Sequence, residues 1–344
     1  MITRRRFLKT TGGVVAAGMA FDKGLGIAQA AAGKSKVVVM RNPAMMTRNR
    51  QFNEDAVEGT LSAALREFGG TERAPDVLAR YVKPDDVVGL KINACFGERM
   101  NSTRIELVNA LCKLLTYAGV KENNIIVWDR CIDELEGCGY EINSGTRGVR
   151  CLASLTRKVG RGGKPSVGFC DEEVKLGEVV TRYAKLAAEE CSVIINMPVL
   201  KSFGRMDGHD VGITGALKNH FGSIEIVGDN IPPLHKNGCR RSIADVYAGD
   251  SLRQKTKLVI CDAMFPLYRG GPGDDPRYHE RYNGLIVAED PVAMDTVGLD
   301  ILNDMRSARG MDKVESSYLE VAAGRGLGTN KREQIEIVEK EVAG

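Results

Sequence analysis

The chain has 344 residues, 43% hydrophobic and only 6% aromatic, with 48 Lys and Arg against 45 Asp and Glu for a formal charge of +3. Of that charge, +4 lies in the first thirty residues (Arg4, Arg5, Arg6, Lys9 and Lys23 against Asp22), which leaves −1 for the remainder. A near-neutral body with few aromatics has no basic stripe to hold a phosphate backbone, so nucleic acid is excluded as a partner.

In chain order, the first signal is Thr3-Arg4-Arg5-Arg6-Phe7-Leu8-Lys9, followed by a weakly apolar stretch from Gly12 to Phe21 and the small-x-small triplet Ala28-Gln29-Ala30. Charged, apolar and small residues in that order read as a twin-arginine (Tat) export signal over residues 1–30. The apolar stretch falls well short of the ~20 residues a membrane span needs. No stable membrane anchor is expected after cleavage. The expected address is the periplasm or another extracytoplasmic space, with the Tat machinery as a partner.

From residue 31 to 344 the pattern predicts a single α/β domain. Short β-branched runs at Val37–Val39, Val87–Ile92, Ile125–Trp128, Val193–Ile195, Leu258–Ile260 and Leu285–Val287 are continuous and apolar, as strands buried on both faces of a parallel sheet are. Helical patterns lie between them. Arg104 to Ala118 has an apolar face of Ile105, Val108, Leu111, Cys112 and Leu115, with Thr103 and Glu106 spaced as a capping box. Pro291 to Ile301 reads as another helix with proline in its first turn. The alternation predicts a layered fold with a mainly parallel sheet flanked by helices. Residues 130–180, glycine-rich and charged with Arg161-Gly162-Gly163-Lys164-Pro165, read as an irregular insertion.

Nine cysteines include no Cys-x-x-Cys pair, so iron–sulfur and zinc-ribbon motifs are absent. Cys131 and Cys138 are the one local pair considered for a disulfide. Walker, His-Glu-x-x-His and Gly-x-Ser-x-Gly motifs are also missing.

Parallel sheets place ligands at the carboxyl ends of their strands. Polar residues collect there: Lys91 and Asn93, Asp129, Lys201, Asp262, and Glu289-Asp290. The densest segment is Gly208 to Gly222. Gly212 and Gly215 permit close backbone approach, Thr214 is a natural N-cap, and Lys218 lies one turn further on. Together they predict a helix-start anion site, with an ordinary capped helix as the alternative. Four histidines (His209, His220, His235, His279) and the strand-end carboxylates, including Asp295, leave a divalent metal possible; His209, His220 and Asp295 are its weak candidates, and no His pair has i,i+4 spacing.

Asn196-Met197-Pro198-Val199-Leu200-Lys201, Gly212-Ile213-Thr214-Gly215-Ala216-Leu217-Lys218-Asn219-His220-Phe221-Gly222 and Leu234-His235-Lys236-Asn237 resemble the central signature of the domain of unknown function 362 family. Later blocks resemble it too, at Cys261-Asp262-Ala263, Gly270-Gly271-Pro272 and Asp290 to Asp295, and Leu90-Lys91-Ile92-Asn93 resembles its opening. Some relatives carry an iron–sulfur module, which this chain lacks. Many have a histidine two residues after the lysine matched by Lys201, where this chain has Phe203.

Three readings follow. The first is an exported protein that binds or acts on a small anionic substrate. Lys91, Asn93, Lys201, Gly212, Thr214, Gly215, Lys218 and Asn219 would bind it, and His235, Asp262 and Asp129 would serve as acid/base groups. The second is a metal-containing protein with a redox partner, and the third a non-catalytic accessory protein.

Overall fold

A computed structural model describes residues 33–156, 166–226, 228 and 231–342. The segment read as an export signal, residues 1–30, and the Arg161–Pro165 stretch lie outside the described residues. Among the described residues the strands are β1 (Ser35–Arg41), β2 (Val88–Ile92), β3 (Ile125–Cys131), β4 (Arg150–Leu155), β5 (Val174–Leu176), β6 (Val179–Thr181), β7 (Val193–Met197), β8 (Val199–Met206), β9 (His209–Thr214), β10 (Thr256–Leu267), β11 (Gly284–Ala288) and β12 (Ile335–Glu341). The α-helices are α1 (Glu54–Gly69), α2 (Ala74–Leu78), α3 (Ile105–Tyr117), α4 (Ile132–Gly137), α5 (Ala216–Asn219), α6 (Ile231–Cys239), α7 (Ser242–Tyr247), α8 (Asp250–Arg253), α9 (Pro291–Ser307) and α10 (Tyr318–Gly324).

The main sheet runs β12-β1-β11-β10-β7-β2-β3-β4. β10, β7, β2, β3 and β4 are parallel, and along this order β11 runs against both of its neighbours. All six predicted strands are present. Period-two alternation divides their side chains between two cores. Leu90, Ile92, Val127 and Ile195 pack on one face, whereas Trp128, Ile194 and Val259 pack on the other. On β2 the first face takes residues 88, 90 and 92, so Lys91 shares the opposite face with Gly89. A methyl group on Gly89 would lie 2.9 Å from Trp128 Nε1, and the Lys91 ammonium stands 5.5 Å from the Trp128 ring centre. The strand therefore directs a lysine into its own core.

From β2 the chain moves to β3 and β4 on one side, and later returns to β7 on the other. The sheet's switch point is thus the crevice between the carboxyl ends of β2 and β7, where open α/β sheets take ligands. Past that edge, β10 is long enough to pair first with β7 and then with β8. β8 and β9 form an antiparallel pair with Lys201 opposite Thr214 and Phe203 opposite Gly212.

Several local expectations are corrected. Thr103 and Glu106 do not close a capping box: Arg104 is the N-cap of α3, and the Thr103 hydroxyl accepts from Asn93 N (2.9 Å) and donates to Met197 O (2.7 Å). The 130–180 stretch is not simply irregular, since it supplies α4, the sheet strand β4 and the small β5–β6 pair. Cys131 and Cys138 form no bridge, and all nine cysteines are thiols; Cys138 Sγ lies 3.2 Å from Ser102 Oγ. Proline does start α9, where Asp290 caps Val292 N and Ala293 N at 2.9 Å each.

Thr214 does not cap α5. Gly215 holds the cap position, and Asp295 reaches across from α9 to accept from Ala216 N (2.5 Å) and Leu217 N (3.1 Å), while Tyr318 donates to it at 2.9 Å. Gly215 is required because a methyl group there would overlap Asp295 Oδ1. Burial pushes the Asp295 carboxyl up to about 7. A carboxyl that holds its proton longer in the fold than in the unfolded chain contributes stability that is complete below pH ~4 and lost as the pH rises through about 7. Urea unfolding should therefore show wild type losing on the order of a few kcal/mol between pH 4 and 8, with a flatter profile for Asp295→Asn. Parallel profiles would show that Asp295 titrates normally.

Candidate functional site

Lys91, Lys201 and Lys218 come from three separate elements and line one pocket of about 310 Å³ at the sheet's switch point. Asn93, Asp129, Thr214, Asn219 and His235 line it with them. Eight of the expected site residues are thus brought together.

Each ammonium meets a different environment. Lys91 Nζ donates to Ile92 O (2.6 Å) and Asp129 Oδ1 (2.8 Å), with Asn219 Oδ1 at 3.3 Å. Burial lowers its pKa, and Asp129 works against that shift. Lys201 Nζ donates to two neutral oxygens, Asn93 Oδ1 and Asn101 O, each at 3.0 Å. Lys218 is the least enclosed of the three at 8% exposure, and among the described residues its Nζ has neither hydrogen bond nor ion pair. It lies instead over the rings of Phe203 (4.5 Å) and Phe221 (4.3 Å). Ring faces attract a cation, but they accept none of its protons in the way a carboxylate does. Burial lowers the pKa of Lys201 and of Lys218.

The asparagines fix these positions. Asn93 Nδ2 donates to Asn219 Oδ1 (3.1 Å), and Asn219 Nδ2 to Asn196 Oδ1 (2.8 Å) and Lys91 O (3.1 Å). Asn196 Nδ2 then donates to Ala216 O at 2.7 Å. β2, β7 and α5 are thereby locked by amide groups whose hydrogen bonds are satisfied. Gly222 closes the wall: a methyl group there would lie 2.5 Å from Asp129 Oδ1 and 2.8 Å from Lys91 Nζ.

Beside Lys201 in the β8–β9 ladder, Thr214 Oγ1 is buried without a hydrogen-bond partner. Such groups are uncommon in folded proteins. His235 packs against the same two phenylalanines as Lys218, with ring centres 6.3 Å from Phe203 and 5.8 Å from Phe221. Its Nδ1 lies 2.8 Å from Ile231 O, which accepts only from a protonated nitrogen. Burial, and then Lys218, lower its pKa, so the ring is neutral near pH 7 and Nε2 keeps its lone pair.

Four assignments change. Asp129 lines the pocket but is a counterion, not an available base: it accepts from Lys91 Nζ, Arg130 N (2.7 Å) and Ala94 N (2.7 Å). Asp262 is not among the lining residues; it accepts from Arg104 N (2.9 Å) and Met264 N (3.1 Å), with Arg104 Nη1 at 3.4 Å. Gly212 and Gly215 do not line the pocket, and the amides that would meet an anion there already serve Asp295. A methyl group on Gly212, at φ +82°, would overlap Glu315 O, so that glycine permits internal packing. The metal candidates do not converge: His209 is exposed on β9, His220 is buried beside Ser223 with its pKa lowered to about 3 by burial, and Asp295 is a cap. Among the described residues no three His, Cys, Asp or Glu side chains form a metal-holding group.

Reading the residues singly did not bring out Cys95, Phe96, Arg130, Phe203, Phe221 or Ile231, all of which line the pocket. Phe203 stood out only as a departure from the family's histidine. It proves to be a wall of the Lys218 site.

The contrast between the lysines is testable by urea unfolding. Lys91→Ala strands the buried Asp129 carboxylate and should cost about 3–5 kcal/mol. Lys218→Met keeps the volume, removes an unanswered charge and should stabilise the chain by about 1 kcal/mol. Equal losses would mean that Lys218 has a counterion within the fold.

No curated protein matches the chain. A solved Thermotoga maritima protein from a structural genomics consortium is similar at 12% identity and a TM-score of 0.36, over 79% of this chain. The chain spans 59% of the length of that structure. The family model "Domain of unknown function (DUF362)" matches residues 88–300, from β2 into α9, and so takes in every element that builds the pocket. The chain belongs to the DUF362 family.

Proposed function

We propose that this chain binds a small anionic ligand in the switch-point pocket, with Lys218 as its principal charge partner. One observation carries the reading: Lys218, a largely buried lysine whose ammonium has no acceptor among the described residues, shares a pocket with Thr214, whose buried hydroxyl also lacks a partner. Removing a charge from water costs several kcal/mol unless an opposite charge and hydrogen bonds answer it. An anion supplies both to Lys218, accepts from Thr214, and can take the remaining proton of Lys201. His235 Nε2 is then the available proton acceptor beside the ligand, which is the position a general base requires.

Titration calorimetry with small carboxylates and phosphate should detect binding to wild type. Lys218→Met and Thr214→Val should each weaken it tenfold or more without loss of folded stability, since neither side chain has an internal partner to strand. Undiminished binding by both variants would move the site elsewhere.

We further propose that residues 1–30 address the folded chain to the Tat machinery, and that it works outside the cytoplasm. The support is the Thr3–Lys9 pattern and the Ala28-Gln29-Ala30 triplet. Replacing Arg4 and Arg5 by lysine should leave uncleaved precursor in the cytoplasm of a bacterial host. Continued processing of that variant would contradict the Tat route.

A further inference from the structure

We propose that the ligand is an amphiphilic monocarboxylate, with its carboxylate on Lys218 and its apolar chain or ring running out between Phe96 and Ile231 at the pocket mouth. This rests on the anion-binding reading above and names its substrate class.

Charge comes first. Of the cations that line the pocket, Lys91 is matched by Asp129 at 2.8 Å and Arg130 faces Glu134 at 3.6 Å. Lys201 already donates to two neutral oxygens, so Lys218 is the ammonium left with no acceptor. Lys201 and Lys218 are therefore the two lining ammoniums without a carboxylate, and the two oxygens of one carboxylate group can answer one each. A phosphate dianion presents more oxygens and is usually cradled by backbone amides at a helix start. Here the amides of Ala216 and Leu217 already serve Asp295, and the carboxylates of Asp129 and Glu134 line the same pocket.

The apolar surface makes the second argument. Phe203 and Phe221 flank the ammonium, and the wall continues outward to Phe96 and Ile231. Those two are 55% and 45% exposed, and both belong to the small set of large hydrophobic residues left exposed among the described residues. Scattered exposed hydrophobics need no explanation, but two on one rim that extend a buried apolar wall form a continuous strip. Phe96 is also held at φ +69°, a region costly for a bulky side chain and one that recurs at ligand clamps. A volume of 310 Å³ lies at the small end of ligand pockets, which run roughly 300–1,000 Å³, and suits an acid of modest length.

Full-length protein titrated calorimetrically with acetate, butanoate, hexanoate, octanoate and inorganic phosphate tests this. Affinity should rise about fourfold for each added methylene while the chain lies against the wall, and hexanoate should outcompete phosphate. Phe96→Ala should flatten the series, with octanoate losing tenfold or more and acetate less than threefold. Equal affinities across the acids, or tightest binding to phosphate, would overturn the amphiphile while leaving anion binding intact. Failure of all five probes to bind would overturn both.

Discussion

Everything at the switch point follows from the need to answer positive charge buried in a protein interior. Three lysines are placed where water cannot reach them freely, and each meets a different solution. Lys91 has a carboxylate, Lys201 has two neutral oxygens, and Lys218 has two aromatic faces. The first is a structural ion pair and the second a positioned donor. The third is an unfinished interaction, and unfinished interactions in an otherwise satisfied interior are where ligands belong.

Topology explains why the unfinished group lies there. The strands that follow β2 lie on both sides of it, so a crevice opens at its carboxyl end. Asn93, Asn196 and Asn219 tie the crevice walls together through side-chain amides, so the positions of Lys91 and Lys201 are rigid properties of the fold. Rigidity lowers the ordering that a ligand must impose when it binds. The Gly215 turn shows the same demand met internally: its helix-start amides donate to a carboxyl group of the chain itself, Asp295.

Much of this was legible in the sequence, and the limits of legibility have physical causes. Continuous apolar runs identify the strands because a parallel sheet buries both faces, and the proline at the start of α9 marks a helix because its missing N–H is harmless in the first turn. Lys91 and Lys201 were readable from their places at strand ends, and Lys218 from the glycine-rich segment Gly208 to Gly222. Which carboxylates remained available was not. Asp129, Asp262 and Asp295 look alike on the page; each is consumed by donors that only the folded chain brings near, Asp262 by an arginine 158 positions away. Phe203 and Phe221 were hidden for the same reason, since a ring beside a lysine is a tertiary fact.

Selective 13C labelling of lysine, with Lys218→Met to assign its resonance, would follow the Lys218 side chain by NMR as pH is raised. Its titration midpoint should lie below the ordinary lysine value of about 10.4 in the free protein and move upward when acetate saturates the pocket, because a bound anion favours the charged form. A midpoint equal to that of an exposed lysine, or one that acetate leaves unmoved, would contradict the claim that this ammonium is buried and waiting for an anion.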